Sequence, residues 1–233
     1  MPGAHAMADV TMAGLSVTGT DTGVGKTAVA CALCAALLAR GHRVTAFKPV
    51  LTGLDDPGAH DHELLGALTG QSPDDVAPVR FAPAVSPHLA SAMAGRDVDA
   101  DALARRARGL ASAGCVVVEG AGGILAPFTA DLSQGDWLAL VGLPAVVAAR
   151  PGLGTINHTL LTLEAARVRG LDVRAVVLTP WPGEPSDMEL SNRETIGRLG
   201  GVDVATLARV DLGAAQALVA ATADWPLEAW SDL

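Results

Sequence analysis

Residues 15–27 read Leu-Ser-Val-Thr-Gly-Thr-Asp-Thr-Gly-Val-Gly-Lys-Thr, and the rest of the fold follows from this stretch. Apolar Leu15 and Val17 alternate with polar residues, which predicts a short buried strand. The three glycines that follow allow a tight turn that presents backbone N–H groups to an anion. A long apolar segment after Lys26 predicts a helix, whose positive N-terminal end would point at the same anion. The stretch therefore predicts a phosphate-binding loop between a strand and a helix.

The side chains of this loop favour a nucleoside triphosphate. Lys26 supplies a mobile positive charge for the β- and γ-phosphates, and the Thr27 hydroxyl is placed to ligate Mg²⁺. The spacing is that of a Walker A motif with one extra residue, because Gly19 and Gly25 enclose five residues instead of four. The predicted nucleotide contacts of the loop are Gly23, Val24, Gly25, Lys26, Thr27 and Ala28.

Length, composition and charge limit the other possibilities. The chain has 233 residues, 50% of them hydrophobic, which suits one domain with a sheet covered by helices on both faces. A net charge of −9, the lack of Tyr and a longest basic run of Arg105-Arg106 argue against nucleic acid or an anionic membrane as a partner. The apolar run at residues 138–149 is too short to span a bilayer, and no signal peptide is recognisable. We therefore predict a cytoplasmic protein.

The cysteines and histidines do not predict a metal or redox site. Cys31 and Cys34 have Cys-x-x-Cys spacing, but they lie in the apolar helix and no second pair completes a zinc site. Together with Cys115 they are predicted to be buried core thiols. His60 and His62 lie in a polar segment without a third ligand at metal spacing, so both are predicted to be solvated.

Strands and helices alternate along the chain. Residues 1–13 are predicted to form a flexible leader, and residues 14–233 a single domain built on the phosphate-binding loop. Residues 55–60 are predicted to be a loop and 73–87 an extended or turning connection, and the pattern weakens beyond Gly200. Helices are predicted at residues 26–40, 63–68, 86–94, 99–113, 158–169, 188–199 and 214–222, and further strands at 43–47, 115–119, 145–149 and 173–178.

This alternation predicts an α/β fold of the P-loop NTPase-like, three-layer type, with a mostly parallel central sheet and helices on both faces. Ligands of such sheets bind at the carboxyl ends of the strands. Glu119 ends its strand, and with Thr27 it is predicted to hold Mg²⁺ through oxygen ligands. Asp61 is the third predicted ligand, although its spacing alone leaves open whether it is an ordinary surface residue.

Lys48 follows the second predicted strand and precedes a proline, so it emerges at the same edge of the sheet. It is either a phosphate clamp or a salt-bridge partner. Only Lys26 and Lys48 are lysines among the 16 strongly basic residues, which favours positions chosen for a compact point charge.

Further motifs appear in a fixed order along the chain. They are Val-Thr-Gly-Thr-Asp-Thr-Gly-Val-Gly-Lys-Thr (17–27), Phe-Lys-Pro-Val-Leu-Thr-Gly (47–53), Ser-Pro-His (86–88), Val-Glu-Gly-Ala-Gly-Gly (118–123) and Leu-Gly-Thr-Ile-Asn-His (153–158). Together they resemble the dethiobiotin synthetases, the ATP-dependent carboxylases of biotin synthesis. The resemblance covers residues 14–195, and the widened glycine loop is itself a trait of that family.

The resemblance implies a substrate and a reaction. The substrates would be 7,8-diaminopelargonic acid, CO₂ or bicarbonate, and Mg-ATP, and the products dethiobiotin, ADP and phosphate. One amine would capture CO₂ as a carbamate, whose oxygen attacks the γ-phosphate to give a carbamic-phosphoric anhydride. The second amine would then close the ureido ring. Because two anions must meet, positive charges should supply most of the catalysis, so Lys26 and Lys48 are the predicted catalytic residues.

The resemblance also implies individual contacts. Thr22, Lys48 and Thr52 would contact the diamine or the carbamate. In the family the carboxylate site is completed across a twofold axis, so a homodimer is implied. The remaining contacts are Gly120, Ala121 and Gly122 for the nucleotide, and Gly154, Thr155, Ile156 and Asn157, at a predicted helix N-terminus, for the substrate carboxylate.

The chain departs from the family near the base. Members that select adenine usually carry an Asn-Asp pair after the strand that here ends at residues 177–181. This chain lacks that Asn and has Thr179 or Pro180 in its place, and we assign both residues to the nucleotide site. Proline has no N–H to donate. We therefore expect the base to be selected differently or loosely.

Two other classes of protein share the loop and the fold. A partitioning-type or division-site ATPase switch would need a signature lysine at the position of Asp21, and a surface for DNA or membrane. An amidating ligase of the cobyrinate-synthase type would need a glutamine-hydrolysing domain with a cysteine nucleophile, and we expect no room for one after residue 200.

Overall fold

A six-stranded parallel sheet organises the protein. The computed structural model describes residues 12–58 and 60–231. The strands are β1 (Gly14–Gly19), β2 (Val44–Phe47), β3 (Val50–Thr52), β4 (Val79–Phe81), β5 (Cys115–Glu119), β6 (Ala145–Ala149), β7 (Val173–Trp181) and β8 (Asp203–Ala208). Six of them form the central sheet in the order β2-β5-β1-β6-β7-β8, and every neighbouring pair is parallel. The predicted fold class is confirmed.

Helices cover both faces of this sheet. They are α1 (Lys26–Ala39), α2 (Asp61–Thr69), α3 (Pro73–Val76), α4 (Pro87–Ala94), α5 (Ala100–Ala113), α6 (Gln134–Val141), α7 (Thr155–Val168), α8 (Asp187–Gly200), α9 (Ala215–Ala221) and α10 (Leu227–Ser231). Strand β5 shows why two layers are needed, because its successive side chains point to opposite faces. Val117 packs in the core that contains α1, whereas Val116 and Val118 pack in the core that contains α5 and α6.

The strand register brings the predicted site residues to one edge. Val17 of β1 pairs with Glu119 of β5, and Phe47 of β2 pairs with Val118. Lys48, which follows Phe47, therefore emerges beside Glu119. Since β1 runs directly into the phosphate-binding loop, all three chain segments meet at the carboxyl ends of adjacent strands.

A second, two-stranded parallel sheet was not predicted. It pairs Val50 with Val79 and Thr52 with Phe81. Pro49 interrupts the chain after β2 as expected, but the chain resumes at once as β3 outside the central sheet. The predicted connection at residues 73–87 accordingly contains helix α3 and strand β4.

Several boundaries also differ from the prediction. Helix α2 begins at Asp61 and α7 at Thr155, both earlier than predicted. Helix α6 was missed, although the capping box formed by Ser133 and Asp136 marks its start. In the weak region beyond Gly200, strand β8 lies at the sheet edge and is largely half-buried, which explains why its sequence shows no clear alternation.

The predicted leader falls mainly on residues 1–11, outside the described residues. Ala13 is described, and its backbone is tied to the fold: its N–H donates to the carbonyl of Ala111, and its carbonyl accepts from Val116, both at 3.1 Å. Among the described residues, no helix combines the length and the apolar character that crossing a membrane requires.

Candidate active site

The phosphate-binding loop turns where only glycine fits. Gly25 has a φ of 95°, in the left-handed region, and it immediately precedes α1. A Cβ at Gly25 would lie only 2.5 Å from Cγ2 of Thr179. Both the backbone conformation and the available space therefore require glycine here, and the helix N-terminus follows directly behind the turn.

The Lys26 ammonium folds back onto its own loop. Its Nζ donates to the backbone oxygen of Asp21 at 2.8 Å, and the residue is buried. Burial lowers the pKa of Lys26 to about 8, although the nearby carboxylate of Glu119 acts in the opposite direction. An anion beside Nζ would favour the charged form, so this lysine is suited to a phosphate.

Four polar side chains, here called the Lys48 cluster, meet beside the loop: Thr27, Lys48, Asp61 and Glu119. Lys48 Nζ donates to Glu119 Oε1 at 2.7 Å and also forms an ion pair with Asp61 Oδ2. Thr27 Oγ1 lies 2.8 Å from Asp61 Oδ1 and 2.9 Å from Glu119 Oε1. Asp61, the first residue of α2, is thus bonded into the cluster rather than being an ordinary surface residue.

The electrostatics of the cluster are those of buried charges that compensate each other. Burial alone would lower the pKa of Lys48, but the carboxylates of Glu119 and Asp61 outweigh it and raise that pKa. Burial opposes the ionisation of Asp61, yet the Lys48 ammonium holds the pKa of this carboxyl below its usual range. Glu119 is 1% exposed, and burial raises its pKa. The cluster therefore keeps a full positive charge on Lys48.

A cavity of about 410 Å³, here called the P-loop cavity, opens onto these groups. It brings together residues from the glycine loop, from the segment that follows β2 and includes β3, from α2, and from the end of β5 and the turn after it. Of the predicted site residues, its lining includes Thr22, Gly23, Gly25, Lys26, Thr27, Ala28, Lys48, Thr52, Asp61, Glu119, Gly120, Ala121 and Gly122.

The other predicted site residues lie outside the lining of this cavity. Val24 is buried in the core beneath the loop. Thr179 is buried against Gly25, whereas Pro180 is exposed. The predicted carboxylate contacts lie at the start of α7, where Gly154 precedes the helix, Thr155 is buried, Ile156 is half-buried and Asn157 is exposed.

A second cavity of about 350 Å³, here called the adjacent cavity, shares Thr22 with the first. Carbon-rich side chains from residues 124–126 and from α7 line much of it. They include Ile124, Leu125, Leu161 and Ala165. The two cavities therefore adjoin at Thr22, one lined by buried charges and the other largely by apolar groups.

Comparison with known proteins assigns the chain to a family. A family model described as an AAA domain matches residues 13–212. The ATP-dependent dethiobiotin synthetase BioD of Anaeromyxobacter dehalogenans is 43% identical over 191 residues, which cover 81% of this chain and 86% of that protein. The enzyme of the same name from Bacillus subtilis is 36% identical over 198 residues, covering 83% and 85%. The chain belongs to the dethiobiotin synthetase family.

A solved structure supports the fold described above. The cell division ATPase MinD of Pyrococcus furiosus superposes with a TM-score of 0.54 at 20% identity, covering 92% of this chain and 91% of that one. At this identity the likeness shows a common fold and not a common activity. The family assignment favours dethiobiotin synthesis over the two alternative classes.

Three residues of the site were not predicted from the sequence. Leu212, from the weakly patterned C-terminal part, lines the P-loop cavity. Arg150 donates from Nη2 to the backbone oxygen of Thr22 at 3.2 Å. Gln134, in the first turn of α6, accepts a hydrogen bond from the Ala121 N–H at 3.0 Å. Only the capping box around Gln134 could have indicated where it lies.

Within the described residues, no three His, Cys, Asp or Glu side chains form a group that could hold a metal ion. The predicted Mg²⁺ ligands differ from such a group because one of them is the Thr27 hydroxyl. The predicted burial of Cys31, Cys34 and Cys115 is confirmed, with all three thiols free. The prediction for His62 was wrong, because the structure buries it and leaves its Nδ1 without a partner among the described residues.

Proposed function

We propose that the protein uses ATP to carboxylate 7,8-diaminopelargonic acid and close its ureido ring, giving dethiobiotin, ADP and phosphate. The observation that carries the proposal is the convergence of Lys26 and Lys48 on one cavity with the glycine loop. Two anions, a carbamate and a γ-phosphate, must meet in this reaction, and paired positive charges lower the cost of that approach.

The phosphate-binding loop is the proposed binding site of the nucleotide phosphates. Its glycines and the start of α1 offer N–H groups to the phosphates, and Lys26 adds charge once a phosphate replaces the Asp21 carbonyl as its partner. Thr179 and Pro180, beside and beyond Gly25, are proposed to border the nucleotide without the amide that would read adenine. Base selection by this chain is accordingly proposed to be loose.

Thr27, Asp61 and Glu119 are proposed to hold Mg²⁺. The fit is supported by Glu119 Oε2, a buried oxygen with no partner among the described residues, and by the all-oxygen donor set that Mg²⁺ prefers. Bound there, Mg²⁺ would neutralise charge on the phosphates. Lys48, held among the same carboxylates, is within the cavity lining and keeps its proton because of them.

The proposed reaction has three balanced steps. One substrate amine attacks CO₂, forming a C–N bond and releasing a proton, to give a carbamate. A carbamate oxygen attacks the γ-phosphorus and breaks its bond to ADP, which leaves a carbamic-phosphoric anhydride. The second amine attacks the anhydride carbon, closes the ring, and expels phosphate with loss of a proton. Lys26 and Lys48 are proposed to stabilise the negative charge that accumulates in the second step.

The diamine is proposed to lie across the junction of the two cavities. Thr22 lines both, and Thr52 lines the P-loop cavity, so their hydroxyls are available to the amines or the carbamate. The apolar side chains of the adjacent cavity suit the alkyl chain of the substrate. The substrate carboxylate is proposed to bind at residues 154–157.

A homodimer is proposed to complete this site. Leu125 and Leu161 at the adjacent cavity are each 57% exposed, and Leu153, just before the proposed carboxylate contacts, is 91% exposed. Exposed leucines clustered around a ligand site are typical of a surface that a partner covers.

The direct test is to mix the protein with the diamine, bicarbonate, Mg²⁺ and ATP and to look for dethiobiotin by mass spectrometry. We expect dethiobiotin and ADP in equal amounts. An ATPase switch would give only slow ATP hydrolysis, and an amidating ligase would turn over only when glutamine is supplied. Either result would overturn the proposal.

A further inference from the structure

Residues 120–126, here called the wall, lie between the two cavities, and the side chain of Gln134 hydrogen-bonds to them. Residues 120–122 line the P-loop cavity and residues 123–126 line the adjacent cavity, so one continuous segment separates them. The N–H of Gly120 still donates to the Val17 carbonyl at 2.9 Å, as a continuation of the sheet ladder. The next N–H, that of Ala121, instead donates to Oε1 of Gln134 at 3.0 Å.

The backbone at Gln134 also contacts the last residues of the wall. Its own N–H donates to the Ala126 carbonyl at 2.8 Å, and the N–H of Gly135 donates to the Ile124 carbonyl at 2.7 Å. A Cβ on Gly120 would approach the Gln134 side chain to 3.2 Å. The side chain of Gln134 thus hydrogen-bonds near the start of the wall, and the backbone of Gln134 hydrogen-bonds at its end.

The amide of Gln134 is only half used. The residue is 0% exposed, and its Nε2 has no partner among the described residues. A buried donor without an acceptor disfavours the folded state, and an apolar side chain of similar shape would avoid that cost. Local violations of this kind tend to mark positions that serve function rather than stability. The useful half of the amide is the oxygen that holds Ala121.

We infer that Gln134 is a positioning residue for the diamine: by fixing the Ala121 N–H it sets the wall against which the diamine lies. The inference rests on the proposed function for the identity of that substrate. Residues 120–122 of the wall are also predicted nucleotide contacts, but among the described residues no hydrogen bond joins Gln134 to Lys26 or to the loop glycines, which are the proposed phosphate contacts. The wall faces Thr22, a predicted diamine contact that lines both cavities, since a Cβ on Gly122 would lie 3.8 Å from Thr22 Oγ1. Loosening the wall should therefore weaken use of the diamine more than use of ATP.

The test compares Gln134→Met, which keeps the shape but removes the acceptor, with the wild type. We expect kcat/KM for the diamine to fall at least about tenfold while KM for ATP changes less than about threefold. Hydrogen exchange of residues 119–123 should also quicken, because the Ala121 N–H loses its acceptor. Gln134→Asn, which is too short to reach Ala121 from the same backbone, should give the same split if the Met variant does not fold.

Leu138→Ala is the matched control, since Leu138 is fully buried in the same helix. It should lower the melting temperature without separating the two substrates. Equal losses for ATP and the diamine in Gln134→Met, or wild-type kinetics with unchanged exchange, would overturn the inference. Failure of the wild type itself to form dethiobiotin would count against the proposed function instead, and the exchange measurement would still judge the role of Gln134.

Discussion

The two adjoining cavities differ in what builds them. The charged side chains of the P-loop cavity each end or follow a strand or begin a helix, and their positions are set by short motifs and strand register. The apolar side chains of the adjacent cavity come from residues 124–126 and α7, which meet only through tertiary packing, and polar residues from the loop and α7 complete its lining. The comparison separates two tasks, because the charged cavity suits the chemistry and the apolar one suits the recognition of the substrate.

The difference also appears in the free protein. In the Lys48 cluster the charged groups already contact one another, because Lys48 forms ion pairs with both Glu119 and Asp61. At the adjacent cavity, by contrast, Leu125 and Leu161 stay largely exposed. Prearranged charges are what transition-state stabilisation requires, whereas exposed apolar groups gain their contacts only when a ligand or partner arrives. Substitutions in the two cavities should therefore fail in different ways.

The largest effect is expected from Lys48→Met in the charged cavity. We expect kcat to fall by about 10²–10³-fold, because a charge that stabilises the transition state is lost, while the affinity for ADP changes by less than about threefold. Steady-state kinetics and calorimetric ADP titration measure the two quantities. Arg80→Met, which removes a cation paired with Asp74 on the surface, is the control and should leave both unchanged. A Lys48 variant with wild-type kcat would remove this residue from the chemistry.

The next largest effect is expected from Gly25→Ala. The added Cβ would meet Thr179 Cγ2 and would also force a left-handed φ on alanine. We expect ADP affinity to fall at least about tenfold and stability by about 1–3 kcal/mol. Gly41→Ala is a matched control because Gly41 has a similar φ of 87° but nothing within 4 Å of the added Cβ. If the two variants bind ADP equally well, steric contact at the loop is not what requires glycine.

The pH dependence of nucleotide binding should sharpen the account of Lys26. Its pKa is lowered to about 8 in the free protein, and a bound phosphate raises it again. Binding must then take up a proton above pH 8, so ADP affinity should be level below that pH and fall by up to about tenfold per unit above it. Lys26→Arg does not titrate in this range and should show no such fall. A wild-type affinity that stays level to pH 9.5 would contradict the burial effect.

The smallest effect is expected in the adjacent cavity. Leu161→Ala removes part of a half-exposed apolar wall, which should raise KM for the diamine by about two- to fivefold and leave kcat and KM for ATP unchanged. Initial rates at varied diamine concentration measure this. A loss of kcat as large as that of Lys48→Met would show that the two cavities do not divide the tasks as described.

The charged residues of the P-loop cavity could be predicted from the sequence because they belong to short local motifs or end clearly patterned strands. Gly25, Lys26 and Thr27 belong to one motif, and Lys48 and Glu119 end strands whose patterns are clear, so parallel pairing brings them together. Whether Asp61 is a Mg²⁺ ligand or an ordinary surface residue could not be decided from the sequence, because the polar segment around it does not predict where its side chain points. In the structure α2 begins at Asp61, and the Asp61 carboxylate accepts a hydrogen bond from Thr27.

The adjacent cavity and the wall could not be predicted from local motifs. The hydrogen bond between the Ala121 N–H and Gln134 joins residues that are 13 positions apart in the sequence, and neither residue type predicts it. The pairing of Val50 with Val79 is equally long-range, and strand β8 is too half-buried to show alternation. His62 shows the same limit, since a polar segment predicted solvent exposure and tertiary packing buried it.

The central claim is that one cavity joins a carboxylated amine to the γ-phosphoryl group of ATP. It is tested most directly by supplying CO₂ labelled with ¹⁸O in both positions, within a time shorter than its exchange with water. The account predicts one ¹⁸O in each released phosphate and one in the ureido carbonyl of dethiobiotin, because the carbamate oxygen becomes the bridge that the ring closure breaks. Unlabelled phosphate released alongside ATP consumption would show that water, and not a carbamate, attacks the γ-phosphorus.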